Sequence, residues 1–596
     1  MDRELMENVY WSLGELRNFL VGETIESTGA TSPSVMNIRH YLRLRSRDNT
    51  MLQSKLTRLG LSSLGRSQPH VVDTINRVMK ILDMALGRPI ADSPAVLTAE
   101  EAQELFAKRC MIFGGELNDY LYHARTRIML TLPSEAVEDD HFIREMAIAG
   151  VNLFRINTAH DGPEVWRKMA AKIAEVNEHL PQNRRVRIYV DLAGPKIRTG
   201  SLKQTTAVMT AGAKGEKTQI ELLPLSSGAT TETAGASTLA RIVVSNDFFE
   251  AARHAKKIAL YTDGKKPRIL SVLKSSSHTV LCEIDKKIEV RPGSRLEILK
   301  GKQWAETQPM AFSGLTQSVR LSVGDLILVT TEEQIGNLTE DDLPAVACSN
   351  ASALSFVKVG DRVYLDDGKI ALRVRSLRPE GLVCEVVSVT KAAVALKSEK
   401  GINFPDSSLE MPAITPEDRQ NFESVVDFAD IIGISFAQSA DDIATLAEML
   451  REKGRDDIGI VAKVETKKAV KNLPNILEAL LEWPQSAIMI ARGDLAIEAG
   501  FENLAWLQEE ILDLAEAAHM PVILATQILE SQMKSNIPSR AEVIDAGFAQ
   551  RAECVMLNKG AFAMDTIKKL EYILEQMHQV YRKNIQLLGP CSAWHE

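Results

Sequence analysis

Two short apolar segments of the chain end in charged residues that could bind a metal ion and a phosphate. The first segment is IGIVAKVET, residues 458–466, and the second is SAIMIARGDLAIE, residues 486–498. Each has the length of a buried strand, and side chains two apart on a strand share a face, so Lys463 and Glu465 lie on the same side. Because burying a lysine and a carboxylate is costly unless they are paired or functional, this pair is a candidate for chemistry.

The second segment closes with Arg492, Gly493 and Asp494. The glycine allows the backbone to approach a ligand, and the free N–H groups of the following turn suit an anion. Two carboxylates, those of Glu465 and Asp494, together with Lys463 indicate a hard divalent cation and a phosphate. The alternative is that these residues form structural ion pairs at strand ends.

Eight apolar segments that alternate with helical patterns must position these residues. A series of eight strand–helix units predicts an α/β fold, a parallel (β/α)8 TIM barrel, whose active sites form at the C-terminal ends of the strands. Polar residues stand at those ends, namely Arg155, Asn157, Asp191, Ser435, Lys463, Glu465, Asp494, Thr526, Gln527, Asn558 and Lys559. The predicted strands are 127–132, 153–158, 187–192, 430–436, 458–464, 486–492, 521–527 and 554–559.

The remaining sequence predicts three further parts. Residues 1–115 form an N-terminal helical domain, with an apolar stripe at three- to four-residue spacing between residues 71 and 86. Residues 200–405 are rich in short strands and turns, which indicates an inserted, enlarged, β-barrel-like lid domain between the third strand and the third helix. The barrel then comprises 121–199 and 406–583, and 584–596 is a tail. Within the insert, 260–284 resembles 363–387, which indicates a duplicated β module.

An arginine cluster in the helical domain allows two interpretations. Its members, Arg39, Arg43, Arg45 and Arg47, could bind an anionic effector, or they could form a solvated helix face.

Composition excludes several classes of protein. The 596 residues are 45% hydrophobic and 25% charged, with a net charge of −9, so nothing indicates a nucleic-acid partner. The six cysteines include no CxxC pair, which is typical of reduced thiols in the cytoplasm. We recognise no secretory signal and no run of 18 apolar residues, so we expect a cytoplasmic protein without a membrane span.

Eight motifs in order give the chain a resemblance to the pyruvate kinase family over residues 121–200 and 356–580. They are VNLFRINTAH, VDLAGPKIRTG, VYLDDGKIAL, SEKGINFP, IVAKVET, IARGDLAIE, ILATQILES and PSRAE. The first 115 residues and about 145 residues of the insert lie outside the resemblance. Only a tail follows the predicted eighth helix, so we expect no counterpart of the family's C-terminal regulatory domain.

The resemblance implies transfer of the phosphoryl group of phosphoenolpyruvate to ADP, giving pyruvate and ATP. It implies that Glu465 and Asp494 hold Mg²⁺ or Mn²⁺, that Lys463 neutralises the transferring phosphoryl group and the enolate, and that Arg155 grips phosphate. The N–H groups of Gly493 and Asp494 would bind the substrate carboxylate. Thr526 would belong to the proton-delivery route, and Ser435 is expected to contact the substrate.

Four further positions match family residues associated with the nucleotide, and the match implies a nucleotide site. They are Asn157, His160, Arg198 and Lys400. For His160, an ordinary surface histidine is the alternative.

The chain departs from the family at the monovalent-cation site. The family has Asn, Ser, Asp and Thr where this chain has Asn157, Ala159, Asp191 and Leu192, so two oxygen ligands are missing. Lys196 replaces the usual glutamate of the GPEIRTG motif. We expect its ammonium to lie near Asp191 and to take over the role of K⁺, which would then not be required.

Two other functions remain open from the sequence. One is a related metal and enolate enzyme that acts on another phosphorylated or carboxylate substrate. The other is a non-catalytic, pyruvate-kinase-like regulatory protein. The oligomeric state is also open, with a homo-oligomer as one alternative, as are the preferred nucleotide, any effector and the direction of the reaction.

Overall fold

The computed structural model of the chain divides into two compact units, Met1–Lys196 with Glu410–Glu596, and Ile197–Leu409. Within the part described, no helix is both long and apolar enough to cross a membrane. The structure describes residues 2–22, 32–90, 96–123, 125–139, 141–202, 209–211, 218–225, 240–261, 266–285, 288–290, 294–300, 304–309, 311–313, 319–331, 343–407, 409, 411–583 and 585–586.

The N-terminal region is helical because amphipathic stretches alternate with strong capping residues. Asp2 and Ser32 cap the first two helices, and Thr98 with Glu101 forms a capping box on the fifth. The apolar stripe predicted between residues 71 and 86 is buried, and its helix ends at Gly87 in the left-handed conformation. The helices are α1 Arg3–Val21, α2 Pro33–Arg45, α3 Thr50–Arg58, α4 Val71–Leu86 and α5 Ala99–Cys110.

The arginine cluster holds these helices to each other and to the barrel. Arg39 pairs with Glu478 at 3.1 Å, and Arg45 pairs with Glu510 at 2.6 Å. Arg43 donates to two backbone carbonyls at the end of α1. These contacts give Arg39, Arg43 and Arg45 a structural role, and they do not favour the effector interpretation.

The first part of the barrel begins with β1, after two short helical turns that follow α5. Its strands are almost wholly apolar where they are buried on both faces, as parallel strands require. The elements are β1 Arg127–Thr131, α6 Phe142–Ile148, β2 Val151–Asn157, α7 Pro163–Glu178 and β3 Arg187–Leu192.

The inserted unit, Ile197–Leu409, is built mainly from antiparallel strands. Its described sheets include one of eight strands, ordered β13-β12-β8-β9-β10-β6-β7-β14, and one of seven, ordered β22-β18-β19-β20-β16-β17-β4. The two similar sequence segments form the same arrangement, an antiparallel β8-β9-β10 and an antiparallel β18-β19-β20. The elements are β4 Thr199–Leu202, β5 Met209–Ala211, β6 Thr218–Pro224, β7 Ala240–Val244, α8 Asn246–Ala252, β8 Lys257–Tyr261, β9 Arg268–Ser275, β10 Val280–Ile284, β11 Ile288–Val290, β12 Arg295–Lys300, β13 Glu306–Thr307, β14 Ala311–Ser313, β15 Val319–Leu321, β16 Leu326–Thr330, β17 Ala345–Cys348, β18 Arg362–Leu365, β19 Ile370–Arg378, β20 Gly381–Val389, β21 Val394–Leu396 and β22 Ile402–Asn403.

The chain then completes the barrel. The eight parallel strands close in the order β1-β2-β3-β23-β24-β25-β26-β27, which confirms the predicted (β/α)8 fold. The elements are α9 Pro416–Val425, β23 Ile431–Ile434, α10 Ala440–Glu452, β24 Gly459–Val464, α11 Lys467–Leu481, β25 Ser486–Ala491, α12 Arg492–Ala499, α13 Leu504–Ala517, β26 Val522–Ala525, α14 Glu530–Ser535, α15 Arg540–Phe548, β27 Cys554–Leu557, α16 Ala563–Val580, β28 Tyr581–Arg582 and β29 Ile585–Gln586.

A short 3₁₀ turn after α5 closes the N-terminal end of the barrel. Its Ile112 and Phe113 are fully buried among inward-facing strand residues such as Met129, Val461 and Met489. A side chain at Gly459, the first residue of β24, would lie 2.7 Å from Ile112 Cδ1, so that glycine leaves room for the turn. We call Ile112 and Phe113 the apolar plug.

Candidate active site

Four charged side chains meet at the C-terminal ends of β2, β3 and β24. Lys463 Nζ lies 3.2 Å from Asp191 Oδ2, 3.1 Å from Glu465 Oε1 and 2.8 Å from Ser435 Oγ. Arg155 donates to the same Asp191 oxygen and to Thr131 Oγ1. Five of the predicted strand-end residues therefore form one cluster of hydrogen bonds and ion pairs, namely Arg155, Asp191, Ser435, Lys463 and Glu465.

Burial and charge act against each other in this cluster. Burial alone would lower the pKa of the Lys463 ammonium, but the charges of Asp191 and Glu465 outweigh it and raise that pKa. For Asp191, burial would raise the pKa, but Lys463 and Arg155 outweigh it and lower that pKa. The lysine is therefore held as a cation and Asp191 as an anion.

Asp191 also accepts a hydrogen bond from a tyrosine in the barrel interior, which was not predicted from the sequence. Tyr189 is fully buried in the barrel interior and its hydroxyl donates to Asp191 Oδ1 at 3.3 Å. The ring fits only because the facing residue is Gly433, where a Cβ would collide with the hydroxyl. Since Tyr189 and Asp191 are two apart on β3, the alternation of strand side chains could have placed them on one face.

The end of β26 is held in an unusual backbone conformation. Thr526 and Gln527 have φ values of 69° and 60°, a strained region for residues other than glycine. Arg492 fixes this turn by donating to the carbonyls of Ala525 and Thr526, while both its terminal nitrogens bind Asp545. Arg492 thus positions Thr526, a role that was not predicted from the sequence.

Gly493 and Asp494 lie in the first turn of α12, as an anion site requires. The Gly493 N–H, however, donates to Thr526 Oγ1 at 3.0 Å. A substrate carboxylate would therefore have to share this N–H with the threonine hydroxyl or replace that hydroxyl as its acceptor.

Lys196 does not lie beside Asp191, where it was predicted. Its Nζ is 3.3 Å from Asp494 Oδ1 and 3.4 Å from Oδ2, whereas the expectation places it beside Asp191. The physical reason is that Asp191 already receives Arg155 and Lys463 on one oxygen and Tyr189 on the other. The expected placement of the lysine is corrected accordingly.

Glu465 and Asp494 have the chemistry of a hard-cation site. Burial raises the pKa of Glu465, and the negative charge of Asp494 raises it further, so a divalent cation would relieve an unfavourable arrangement. Glu465 Oε2 also accepts a hydrogen bond from the Phe436 N–H, which fixes its orientation. Within the described ranges no three His, Cys, Asp or Glu side chains form a metal-binding group. Carboxylate oxygens are ligands that Mg²⁺ and Mn²⁺ prefer, and substrate and water oxygens could supply the remaining ones.

The residues expected at a nucleotide lie in both units. Asn157 ends β2 and accepts a hydrogen bond from the Ala159 N–H, and His160 is exposed. Within the inserted unit, Arg198 donates to the Glu399 carbonyl, and Lys400 pairs with Asp366 at 3.4 Å.

Thr158 is a further residue of the site that was not predicted from the sequence. It is buried, its hydroxyl donates to the Asp191 carbonyl at 2.9 Å, and it accepts from the Ala193 N–H at 3.1 Å. It therefore fixes the backbone where β3 ends. Its position directly after β2 is a signal that could have found it.

Comparisons of this chain with a family model and with known proteins all match the same family. A family model described as "Pyruvate kinase, barrel domain" matches residues 123–247 and 270–567, which is more than half of the chain. The pyruvate kinase of Thermococcus litoralis is 34% identical over 275 residues, covering 45% of this chain and 54% of that protein. The pyruvate kinase PKLR of Homo sapiens is 32% identical over 280 residues, covering 46% and 47%. The chain thus spans about half the length of these curated relatives.

A solved structure shares the fold. The crystal structure of a pyruvate kinase from Cryptosporidium parvum matches with a TM-score of 0.51 and 22% identity, covering 77% of this chain and 70% of that one.

Proposed function

Because this chain belongs to the pyruvate kinase family, we propose that it transfers the phosphoryl group of phosphoenolpyruvate to ADP and releases pyruvate and ATP. The observation that carries the proposal is the Lys463 ammonium, which is buried between Asp191 and Glu465 at the C-terminal ends of the strands. A cation fixed in this way can stabilise charge that develops on a phosphoryl group or an enolate without further reorganisation.

The chain's own residues would divide the work among them. Glu465 and Asp494 would hold Mg²⁺ or Mn²⁺, whose charge would neutralise the phosphoryl oxygens during transfer. Lys463 would sit against the transferring group and the enolate oxygen. Arg155, which now shares Asp191 with Lys463, would turn part of its planar guanidinium to the phosphate.

The turn at the end of β26 would complete the substrate site. The first-turn N–H groups of Gly493 and Asp494 would bind the substrate carboxylate, with Ser435 close to Lys463 on the other side. Thr526, held rigidly by Arg492, would present its hydroxyl on the route by which a proton reaches the enolate carbon.

We propose that Asn157, His160, Arg198 and Lys400 bind the nucleotide. Arg198 and Lys400 belong to the inserted unit, 197–409, which we propose to act as a lid that excludes water from the phosphate. We propose that the protein is cytoplasmic, because the five cysteines that the structure describes are buried and form no disulfide with one another.

We propose that the enzyme needs no K⁺. Ala159 and Leu192 offer no side-chain oxygen, and both Asp191 oxygens already have partners. Lys196 adds a permanent unit charge at the same end of the barrel.

A coupled assay for pyruvate formation from phosphoenolpyruvate, ADP and Mg²⁺ tests the activity. Lys463→Met should be inactive in the same assay. The absence of pyruvate from the wild-type chain with every nucleoside diphosphate would refute the proposal.

A further inference from the structure

We propose that Lys196 is an internal competitor for the divalent cation at Asp494. The ammonium covers the carboxylate while the ion is absent and must leave before the ion binds. The inference rests on the proposed function only in taking Asp494 as a metal ligand.

The geometry of the pair carries the proposal. Lys196 Nζ is almost equidistant from the two Asp494 oxygens, at 3.3 and 3.4 Å, so one ammonium faces the edge of the carboxylate that a cation would use. An ammonium and a divalent cation on the same edge would repel each other at close range. Ammonium and metal ion therefore exclude each other at this carboxylate.

Lys196 is placed to leave, in contrast to Lys463. The Lys463 ammonium is buried and held by Asp191, Glu465 and Ser435. The Lys196 side chain is 29% exposed, and both of its hydrogen bonds in the described structure go to Asp494. A partly exposed pair of this kind is weak enough to break when a better cation arrives.

Displacement of Lys196 would couple the metal ion to the substrate. Once it has left Asp494, the ammonium needs a new anionic partner, and a bound phosphate group near the metal ion supplies one. Metal ion and phosphate would then each favour the binding of the other, and by linkage the effect is reciprocal. Lys196 would thus keep metal affinity low until the phosphorylated substrate is present.

Direct Mn²⁺ binding, followed by electron paramagnetic resonance of the free ion, tests the proposal without an activity assay. Four forms of the full chain would be compared: wild type, Lys196→Met, Lys196→Arg and Lys453→Met. Lys453 is an exposed lysine that pairs with Glu423, so its variant has the same change in net charge elsewhere on the barrel unit. Thermal melting would establish that each variant is folded.

We expect Lys196→Met to bind Mn²⁺ about fivefold or more tightly than wild type, which corresponds to about 1 kcal/mol. Lys196→Arg and Lys453→Met should stay within about twofold of wild type, because the first keeps the competing cation and the second leaves it in place. Phosphoenolpyruvate should tighten Mn²⁺ binding by a smaller factor in Lys196→Met than in wild type.

Unchanged or weaker Mn²⁺ binding by folded Lys196→Met would overturn the inference, and so would equal tightening in Lys453→Met. Asp494→Asn separates this test from the proposed function. If Asp494→Asn removes the difference between lysine and methionine at position 196 while the wild type forms no pyruvate, the proposed activity fails and the competition stands.

Discussion

The two ends of the barrel use the same eight strands for opposite purposes. At the N-terminal end the interior is filled by the apolar plug, Ile112 and Phe113, contributed by a segment outside the barrel. At the C-terminal end the strands present Arg155, Asp191 and Lys463, which are paired with one another. The N-terminal end of the barrel therefore contributes to stability through apolar packing, whereas the C-terminal end holds charged side chains in fixed positions.

Tyr189 marks the boundary between the two ends. Its ring belongs to the apolar cluster that includes the plug, and its hydroxyl binds Asp191. The barrel interior therefore changes from apolar to charged within one side chain.

Asp494→Asn should affect only the charged end. It keeps the shape of a proposed metal ligand but removes its charge, so turnover should fall by at least about a thousandfold. The melting temperature should stay close to that of wild type, because the side chain is partly exposed. Wild-type turnover at low Mg²⁺ would contradict the assignment.

Phe113→Ala should affect only the apolar end. Truncating a fully buried phenylalanine in the plug should cost about 3–5 kcal/mol of stability. Chemical denaturation would measure this, with Ile148→Ala as the control because Ile148 is 65% exposed. Turnover per folded molecule should remain within about twofold of wild type. A large loss of turnover would show that the two ends are coupled.

Contacts at the N-terminal end of the barrel should also make the free energy of unfolding depend on pH. His519 is buried against the N-terminal helices, with Nδ1 2.9 Å from Ser34 Oγ and Nε2 2.8 Å from the Pro69 carbonyl, and burial lowers its pKa to about 4. The folded state thus favours the neutral ring. Its contribution is complete above the unfolded pKa of about 6.5 and is lost as pH falls towards 4, up to about 3 kcal/mol.

Calorimetry of wild type and His519→Gln at pH 7 and pH 5 would measure this contribution. The melting temperature of wild type should fall more between the two values than that of the variant. His40, whose pKa burial also lowers to about 4, is present in both forms and cancels. Equal falls would remove His519 as the cause.

Tyr189→Phe tests the boundary itself. The variant keeps the ring in the apolar cluster but removes the hydrogen bond to Asp191, so kcat should fall about five- to tenfold with little change in stability. Met489→Leu, in the same apolar cluster, should leave kcat unchanged and serves as the control. A Tyr189→Phe variant with the kcat of wild type would show that the hydroxyl does not orient Asp191.

The smallest expected effect is that of K⁺. If the charged end already carries its own cations, turnover in tetramethylammonium buffer should change less than about twofold when K⁺ is added. Activation of tenfold or more, about 1.4 kcal/mol in the barrier, would refute independence from K⁺.

Sequence periodicity was sufficient to predict the barrel because parallel strands buried on both faces are continuous apolar runs with polar ends. Residues at strand ends, such as Lys463 and Glu465, therefore meet as expected. Lys196 lies in the loop after β3, where no regular alternation of side chains fixes its direction. Its partner, Asp494, could therefore be identified only from the structure. The apolar plug follows an ordinary helix, and nothing local distinguishes it from other buried residues of that region.

The plug also constrains the order in which the chain can fold during synthesis. Phe113 leaves the ribosome early, but Cys554 on β27, which belongs to the same apolar cluster, follows about 440 residues later, on the order of tens of seconds at about 5–20 residues per second. Until then the barrel is not closed, and Phe113 lacks part of the apolar cluster in which it is buried. We expect the nascent N-terminal region to expose an apolar side chain throughout that interval, which makes it a natural substrate for chaperones.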